Sequence, residues 1–417
     1  MSARVGFSTV LKVREFRALW LASAQSMAGD QLARVAISVL VFERTSNSAL
    51  TALTYALTFL PALIGGILFA GLADRLPRRR LMIWCDLLRA VLIALMAVPA
   101  VPLPVLGLLL IAVVVIGSPF GAAENALAPM ILDGEAYEVG TGLRAMTDQV
   151  AQLLGFALGG VLIALLSARG GLLVDAATFL LSALLIRLGV RERPRALGSR
   201  RASAADYLDG LRAGAAVISR TRLLRVLLGL GWLAGLFIVP EGVAAPLAAQ
   251  LGGGARSTGL ILAAMPAGTA LGTLVYSRLL DSKRRREWLG PMSVLAAVPL
   301  ICCQFSSSLL VTVLLLALTG AFTSYEVQVF AEYARAVPDR WRGQAIGLAA
   351  SGVLAVQGLG VLLGGLVAQQ WSPEFAVCAA GLAQLVLALM LARAWRRLGV
   401  AEGTCDEGVF VEALPGE

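Results

Sequence analysis

Gly71-Leu72-Ala73-Asp74-Arg75-Leu76-Pro77-Arg78-Arg79-Arg80 is the stretch on which the reading of this sequence turns. It closes one long apolar run, about 51–73, and precedes another, about 81–100. Dense charge between two stretches that lack it is the pattern of a short loop joining two membrane-crossing helices, each of about 20 apolar residues. Working outward, comparable runs fall at about 16–41, 105–129, 143–168, 171–189, 223–248, 258–280, 288–304, 309–331, 344–369 and 374–395.

Composition agrees. The 417-residue chain is 58% hydrophobic and only 15% charged, with a mean hydropathy of +0.82. Soluble domains average about 45–50% apolar and about 25% charged residues. So much apolar surface cannot be hidden in a soluble chain of this length, and lipid must be its solvent. A transmembrane β-barrel would show segments of about 10 residues alternating polar and apolar, whereas these runs are long and rich in Leu, Ala, Val and Gly. The expected fold is all-α and integral to the membrane, with twelve transmembrane helices.

Absent residues exclude chemistry. The sequence has no histidine, which removes Ser-His-Asp hydrolysis, histidine metal sites and histidine proton relays. Cys85, Cys302, Cys303, Cys378 and Cys405 show no CxxC spacing, so a zinc site or disulfide framework is not expected. No Walker A sequence is present for ATP drive. The chain is expected to be no enzyme and to need no cofactor.

Lys and Arg set the orientation, because cytoplasmic loops carry their excess. With the amino terminus inside, the cytoplasmic segments hold Arg4, Lys12, Arg14 and Arg17, then Arg75 to Arg80, Arg187 to Arg225, Arg278 to Arg286, Arg335 to Arg342, and Arg393 to Arg397. The opposite side holds Arg44, Arg169 and Arg256. Both termini are therefore expected in the cytoplasm, with the protein in the cell membrane. Ala22-Ser23-Ala24 resembles a signal-peptidase site, but the apolar stretch before it is too short, so 18–41 reads as a retained first span. The net charge of +9 then reports topology and contact with membrane lipids, not a nucleic-acid partner.

The longest loop, about 190–222, divides six runs from six. It opens with Arg191-Glu192-Arg193-Pro194-Arg195 and reads as a basic linker, either a tether at the anionic leaflet or a docking segment. The halves repeat. Gly65-Gly66 and Arg78-Arg79-Arg80 correspond to Gly268, Gly272 and Arg284-Arg285-Arg286. Glu124 corresponds to Glu326, and Gly159-Gly160 to Gly364-Gly365, all at an offset of about 205. The expected organisation is a six-helix bundle over 1–189, the linker 190–222, a pseudo-symmetric six-helix bundle over 223–397 and an acidic tail over 398–417. Parallel halves with a site between them are a known transporter plan.

The stretch 71–80 resembles motif A of the major facilitator superfamily, Gly-x-x-x-Asp-Arg-x-Gly-Arg-Arg, with Pro77 where many members have Gly. With the span count, basic linker and half-repeat, the resemblance covers residues 10–397 and is nearest to the twelve-span drug:proton antiporter branch, including macrolide-efflux and siderophore-exporter relatives. Phe16-Arg17-Ala18-Leu19-Trp20 and Gly29-Asp30 in the first span are similar to that branch. Gly155-Phe156-Ala157-Leu158-Gly159-Gly160 keeps the glycines of the antiporter motif of span five but lacks its Pro. The resemblance implies a conformational switch at Gly71, Asp74, Arg75, Arg78 and Arg79, with Glu124 as an acidic partner for the arginines.

Ionisable residues inside spans are costly and mark a pathway, relay or internal pair. Asp30 lies about 14 residues, roughly 21 Å, into the first span, and Arg34 follows at i+4 on the same face. Asp30, Arg34 and Glu326 are the candidate proton-coupling groups, the alternative for the first two being a static buried pair. Glu241, Tyr55, Phe120, Trp232 and Tyr325 are candidate substrate-cavity residues. Asp86 and Asp175 read as interfacial. The expected function is secondary active export of a lipophilic drug-like compound or secondary metabolite by a monomer, coupled to protons. A uniporter or importer of a small polar metabolite and a non-transporting membrane sensor or scaffold are the alternatives.

Overall fold

The structure is a computed structural model that describes residues 6–69, 72–193, 212, 214–216, 218–338 and 341–398. Most of the 190–222 linker and all but the first residue of the 398–417 tail therefore lie outside the described residues, as does Gly71. Asp74 belongs to a described helix, but its side chain is outside the description.

Every described element is helical. In chain order these are α1 (Phe7–Lys12), α2 (Arg14–Thr45), α3 (Ser48–Ala56), α4 (Leu60–Phe69), α5 (Leu72–Arg75), α6 (Arg78–Met96), α7 (Leu103–Ile131) and α8 (Gly134–Gly189). After the linker come α9 (Arg222–Trp232), α10 (Ala234–Phe237), α11 (Val239–Gly242), α12 (Ala244–Gln250), α13 (Ala255–Leu279), α14 (Ser282–Glu287), α15 (Leu289–Leu295) and α16 (Ala297–Cys302). A short 3₁₀ turn, Cys303–Phe305, then precedes α17 (Leu309–Thr323), α18 (Tyr325–Ala336), α19 (Arg342–Gln370) and α20 (Pro373–Arg397).

Among the described residues, eight helical segments are long and apolar enough to cross a bilayer. One of them, α8, runs for 56 residues, well over twice what a single crossing of about 20 residues requires. It breaks at Ser167, whose φ of 73° is left-handed, a conformation sparsely allowed to a residue with a Cβ. The Ser167 hydroxyl accepts from the Gly170 amide there. This is the break expected between the runs 143–168 and 171–189. The helices α2 and α6 each carry ionisable residues in mid-helix, Asp30 and Arg34 in one, Asp86 and Arg89 in the other.

The chain forms two compact units. Among the described residues, one draws on 6–46, 57–193 and 254–263; the other draws on 47–56, 212–253 and 264–398. In the first unit α2 packs along α8, α6 packs on both α7 and α8, and α4 packs on α7. Leu19, Ala22, Leu81, Met82, Cys85, Phe120 and Ala123 meet in its core. In the second unit α3 lies against α19, α15 and α16 pack on α20, and α9 packs on α18. Its core gathers Leu224, Leu227, Leu230, Tyr325, Val329, Tyr333 and Trp395.

Small residues set the closest approaches, as expected where apolar side chains gain nothing by leaving lipid. A Cβ on Gly160 would lie 2.7 Å from the Ala255 carbonyl oxygen and 2.8 Å from Gly259 Cα. The repeat partner Gly365 meets the methyl of Ala52. The repeated glycines thus receive the start of α13 in one unit and α3 in the other.

Candidate functional site

The charged interior of the first unit lies where α2, α6 and the second arm of α8 meet. Arg89 Nη2 donates to Asp30 Oδ1 at 3.0 Å and Oδ2 at 3.2 Å. The guanidinium carbon stands 3.9 Å from the centroid of the Phe179 ring, and an aromatic face stabilises a desolvated cation. The geometry therefore gives Asp30 a partner on another helix, Arg89, that the i+4 reading of Arg34 did not anticipate. Arg34, which lines the same cavity as Asp30, lies over Phe59, 5.2 Å from the ring centroid. Arg89 sits in mid-run, where sequence spacing alone gives it no companion.

Asp175 completes the cluster from α8. It is fully buried, and its Oδ1 lies 3.2 Å from the Thr178 hydroxyl. Gly29 makes room for it, since a Cβ there would reach Asp175 Oδ1 at 2.5 Å. Asp86, one turn before Arg89 on α6, is also fully buried. The interfacial reading of Asp86 and Asp175 is thereby corrected: each lies on the inward face of its helix, and distance along the chain from a span end says nothing about face. A cavity of about 180 Å³ is lined by Asp30, Arg34, Thr58, Arg89 and Asp175, with apolar residues of α7 closing one wall.

A second pocket, of about 300 Å³, lies where α2 begins, α7 ends and α8 begins. Phe16, Trp20, Glu124, Tyr137, Arg144 and Asp148 are among its walls. Glu124 is almost wholly buried. It pairs with Arg144 Nη2 at 2.5 Å and accepts from the Ser23 hydroxyl. Its cationic partner is thus Arg144, twenty residues on, in place of the motif arginines assigned to it from the resemblance. Those arginines find other partners. Arg78 donates to the Ala126 carbonyl at 3.1 Å; Arg79 donates to the Arg187 carbonyl and lies 3.5 Å from Glu192. Arg80 pairs with Glu192 at 2.6 Å, and Arg75 is exposed at the end of α5.

The second unit repeats this arrangement with a carboxylate that the sequence reading missed. Arg286 Nε donates to Glu332 Oε1 at 2.8 Å, and Arg335 and Gln328 converge on the same oxygen. Glu332 stands at the same repeat offset from Ala126 as Arg284–Arg286 from Arg78–Arg80. The signal was available there.

Glu241 is buried within a broken crossing, α9 to α12, and accepts from the Tyr55 hydroxyl at 2.5 Å. From the same helix as Tyr55, the Ser48 amide donates to Gln369 Oε1 at 2.7 Å. Discontinuous helices are where transporters commonly build substrate and ion sites. Of the other cavity candidates, Phe120 and Tyr325 are buried and Trp232 is half-buried. Phe120 belongs to the core of the first unit. Tyr325 is fully buried in the second and donates to the Leu230 carbonyl at 3.2 Å. Trp232 packs against Gly352. Glu326, next to Tyr325, has a buried Oε1 without a hydrogen-bond partner.

Known proteins of the same build are numerous. The chain is 26% identical over 227 residues to the uncharacterised MFS-type transporter YkuC of Bacillus subtilis, a match covering 52% of this chain and 53% of that protein. It is 36% identical over 152 residues to the putative uncharacterised transporter YgaY of Escherichia coli, covering 34% and 36%. The chain thus spans about half the length of the first curated relative and about a third of the second. Among solved structures, a bacterial homologue of the human lysosomal transporter Spinster superposes with a TM-score of 0.70 at 16% identity, over 94% of this chain and 96% of that one. A peptide transporter of the POT family, a mutant in complex with sulfate, gives 0.72 at 13% identity, over 95% and 97%. These likenesses show a common fold. The family model described as transmembrane secretion effector matches residues 7–404, nearly the whole sequence, and the chain therefore belongs to that family, MFS_3, of the multi-pass membrane transporters of the major facilitator type.

Proposed function

We propose that this protein exports a lipophilic drug-like compound or secondary metabolite from the cytoplasm across the cell membrane, drawing on proton influx. Alternating access of two six-helix halves, 1–189 and 223–397, carries the cargo. The observation that bears most weight is the Asp30–Arg89 pair beside a cavity in mid-helix. A carboxylate and a guanidinium are costly inside a membrane protein and are retained there for pathways, relays or pairing. The family description, transmembrane secretion effector, supports the outward direction. The positive-inside distribution of Lys and Arg supports cytoplasmic termini.

The coupling element is the pair itself. Charge neutralisation of Asp30 by a proton releases Arg89, and re-ionisation recaptures it, so a change of partner accompanies each proton. The pair thereby acts as a bistable element that two conformations can read differently. The test uses cells and inverted vesicles carrying the full chain and a panel of fluorescent lipophilic dyes. Dye extrusion that collapses with a protonophore, together with dye-driven proton movement lost in Asp30→Asn, is the expected result. Accumulation in place of extrusion would favour an importer, and intact proton flux in Asp30→Asn would remove Asp30 from the coupling role.

A further inference from the structure

We propose that Asp30 and Asp175 form a two-carboxylate, one-guanidinium proton site in which the proton resides on whichever aspartate lacks Arg89, Asp175 in the conformation described. This deepens the coupling reading above and rests on it only for the consequence that the proton is transported.

The argument begins with what each oxygen touches. Asp30 takes both Arg89 hydrogen bonds, at 3.0 and 3.2 Å, and that contact favours an ionised carboxylate. Asp175 has no such contact. Its Oδ2 is buried with no hydrogen-bond partner. Its Oδ1 has only the Thr178 hydroxyl at 3.2 Å, and that hydroxyl also donates to the Asp175 backbone carbonyl at 2.7 Å. A hydroxyl has one hydrogen to give, and the shorter contact claims it. An ionised carboxylate in that position would be a buried charge without a donor, which is costly in any protein interior. A proton on Asp175 removes the charge.

Both carboxylates line the same 180 Å³ cavity, with Arg89 and Arg34, so a proton leaving one can reach the other through water held there. Arg89 Nε is also buried without a partner, leaving the guanidinium a donor to spare for a second acid. The groups that face Asp175 are few. The helix α2 presents Asp30 and Arg34 and α6 presents Arg89 at the cavity, with Asp86 behind; α7 presents Leu110, Val113, Val114 and Gly117, none ionisable. Asp86 does not line the cavity and has no route by which to exchange its proton there. Movement of the guanidinium from Asp30 to Asp175 would expel the Asp175 proton to cavity water and leave Asp30 to take one up. Proton and charge balance at every stage.

Infrared spectroscopy of the purified full chain at pH 7 reads this directly. An un-ionised aspartic acid gives a carbonyl band that an aspartate does not, and ¹³C-labelled aspartate identifies it by its shift. Asp86 is equally buried and neither of its oxygens has a hydrogen-bond partner, so it gives a band of its own. The comparison is therefore made in an Asp86→Asn background, which is expected to show the band, and the further change Asp175→Asn to lose it. Asp30→Asn is expected to lose it as well, because Arg89 then moves to Asp175 and ionises it. A labelled wild type with no un-ionised aspartate band overturns the proposal without recourse to any variant. In the Asp86→Asn background, absence of the band or its survival in Asp175→Asn overturns it too, and its persistence in Asp30→Asn refutes the sharing of Arg89. The spectra require no cargo and no transport, so they judge the proton site separately from the vesicle assay that judges the exporter reading.

Discussion

Gly259 provides a prediction whose size follows from geometry. A methyl group on it would stand 2.6 Å from Gly160 Cα, 2.8 Å from the Phe156 carbonyl oxygen and 2.9 Å from the Gly160 nitrogen. Non-bonded carbons settle at about 3.5–4.0 Å, so α8 and the start of α13 must separate by about 1 Å to admit it. All three opposing atoms are backbone, and no side chain can swing aside. Overpacking of this kind costs about 1–3 kcal/mol. Gly160→Ala meets the same obstruction from the other side, at 2.7 and 2.8 Å.

The comparison that makes the test sharp is with glycines facing open space. A Cβ at Gly66 or Gly347 meets nothing within 4 Å, and both lie inside helices, where alanine is favoured over glycine by roughly 0.5–1 kcal/mol. Thermal unfolding of the purified protein, followed by tryptophan fluorescence, should place Gly259→Ala and Gly160→Ala below the wild type, and Gly66→Ala and Gly347→Ala at or above it. In a transport assay the first pair should alter rates by a factor of up to about 5–150, the equivalent of 1–3 kcal/mol, if one conformation of the cycle breaks the contact. The reasoning is refuted if Gly259→Ala melts with the wild type, or if the four variants fall in no order related to the space around them.

Three further outcomes are expected. Arg144→Met should destabilise the protein by about 3–5 kcal/mol, because it strands the buried Glu124 carboxylate; the double variant with Glu124→Gln should recover most of the loss in the same melt. Tyr55→Phe removes the hydrogen bond to Glu241, and a bond to a charged group contributes about 1.5–3 kcal/mol. A lower melting temperature with unchanged expression would register that loss, and no shift would count against it. Glu332→Gln disturbs Arg286 and Arg335, whose side chains are 37% and 65% exposed. Solvent screening holds such pairs to about 0–1 kcal/mol each, so the melt should barely move while transport rates report any switching role.

The spans were legible because lipid leaves little choice: a long apolar run must be a helix, and the break at Ser167 fell between two runs already separated by Arg169 and Gly170. The pairings were not legible. Asp30 and Arg34 share a helical face by spacing, but that Asp30 also bonds to Arg89, 59 residues away, depends on how α6 packs on α2, which spacing along one helix does not encode. Glu124 likewise turns to Arg144 on the adjacent helix. The surroundings of Phe120 and Tyr325 were not legible for a related reason. Rings in a membrane helix meet lipid, core or cavity with the same residue type, and periodicity does not distinguish the three.

The internal repeat carried more structural information than its weak letters promised. Gly160 and Gly365 occupy equivalent positions, and so nearly do Gly259 and Ala52. Residues 254–263 and 47–56, which belong to opposite halves by sequence, each pack in the compact unit of the other half and each end on one of those glycines. The two contacts are not alike: the start of α13 meets α8 through backbone, whereas α3 is also tied to α19 by the Ser48–Gln369 hydrogen bond and to α11 by Tyr55–Glu241. The repeat nonetheless keeps small residues where a neighbouring helix approaches most closely while its charged partners diverge, Ala126 in one half standing where Glu332 stands in the other.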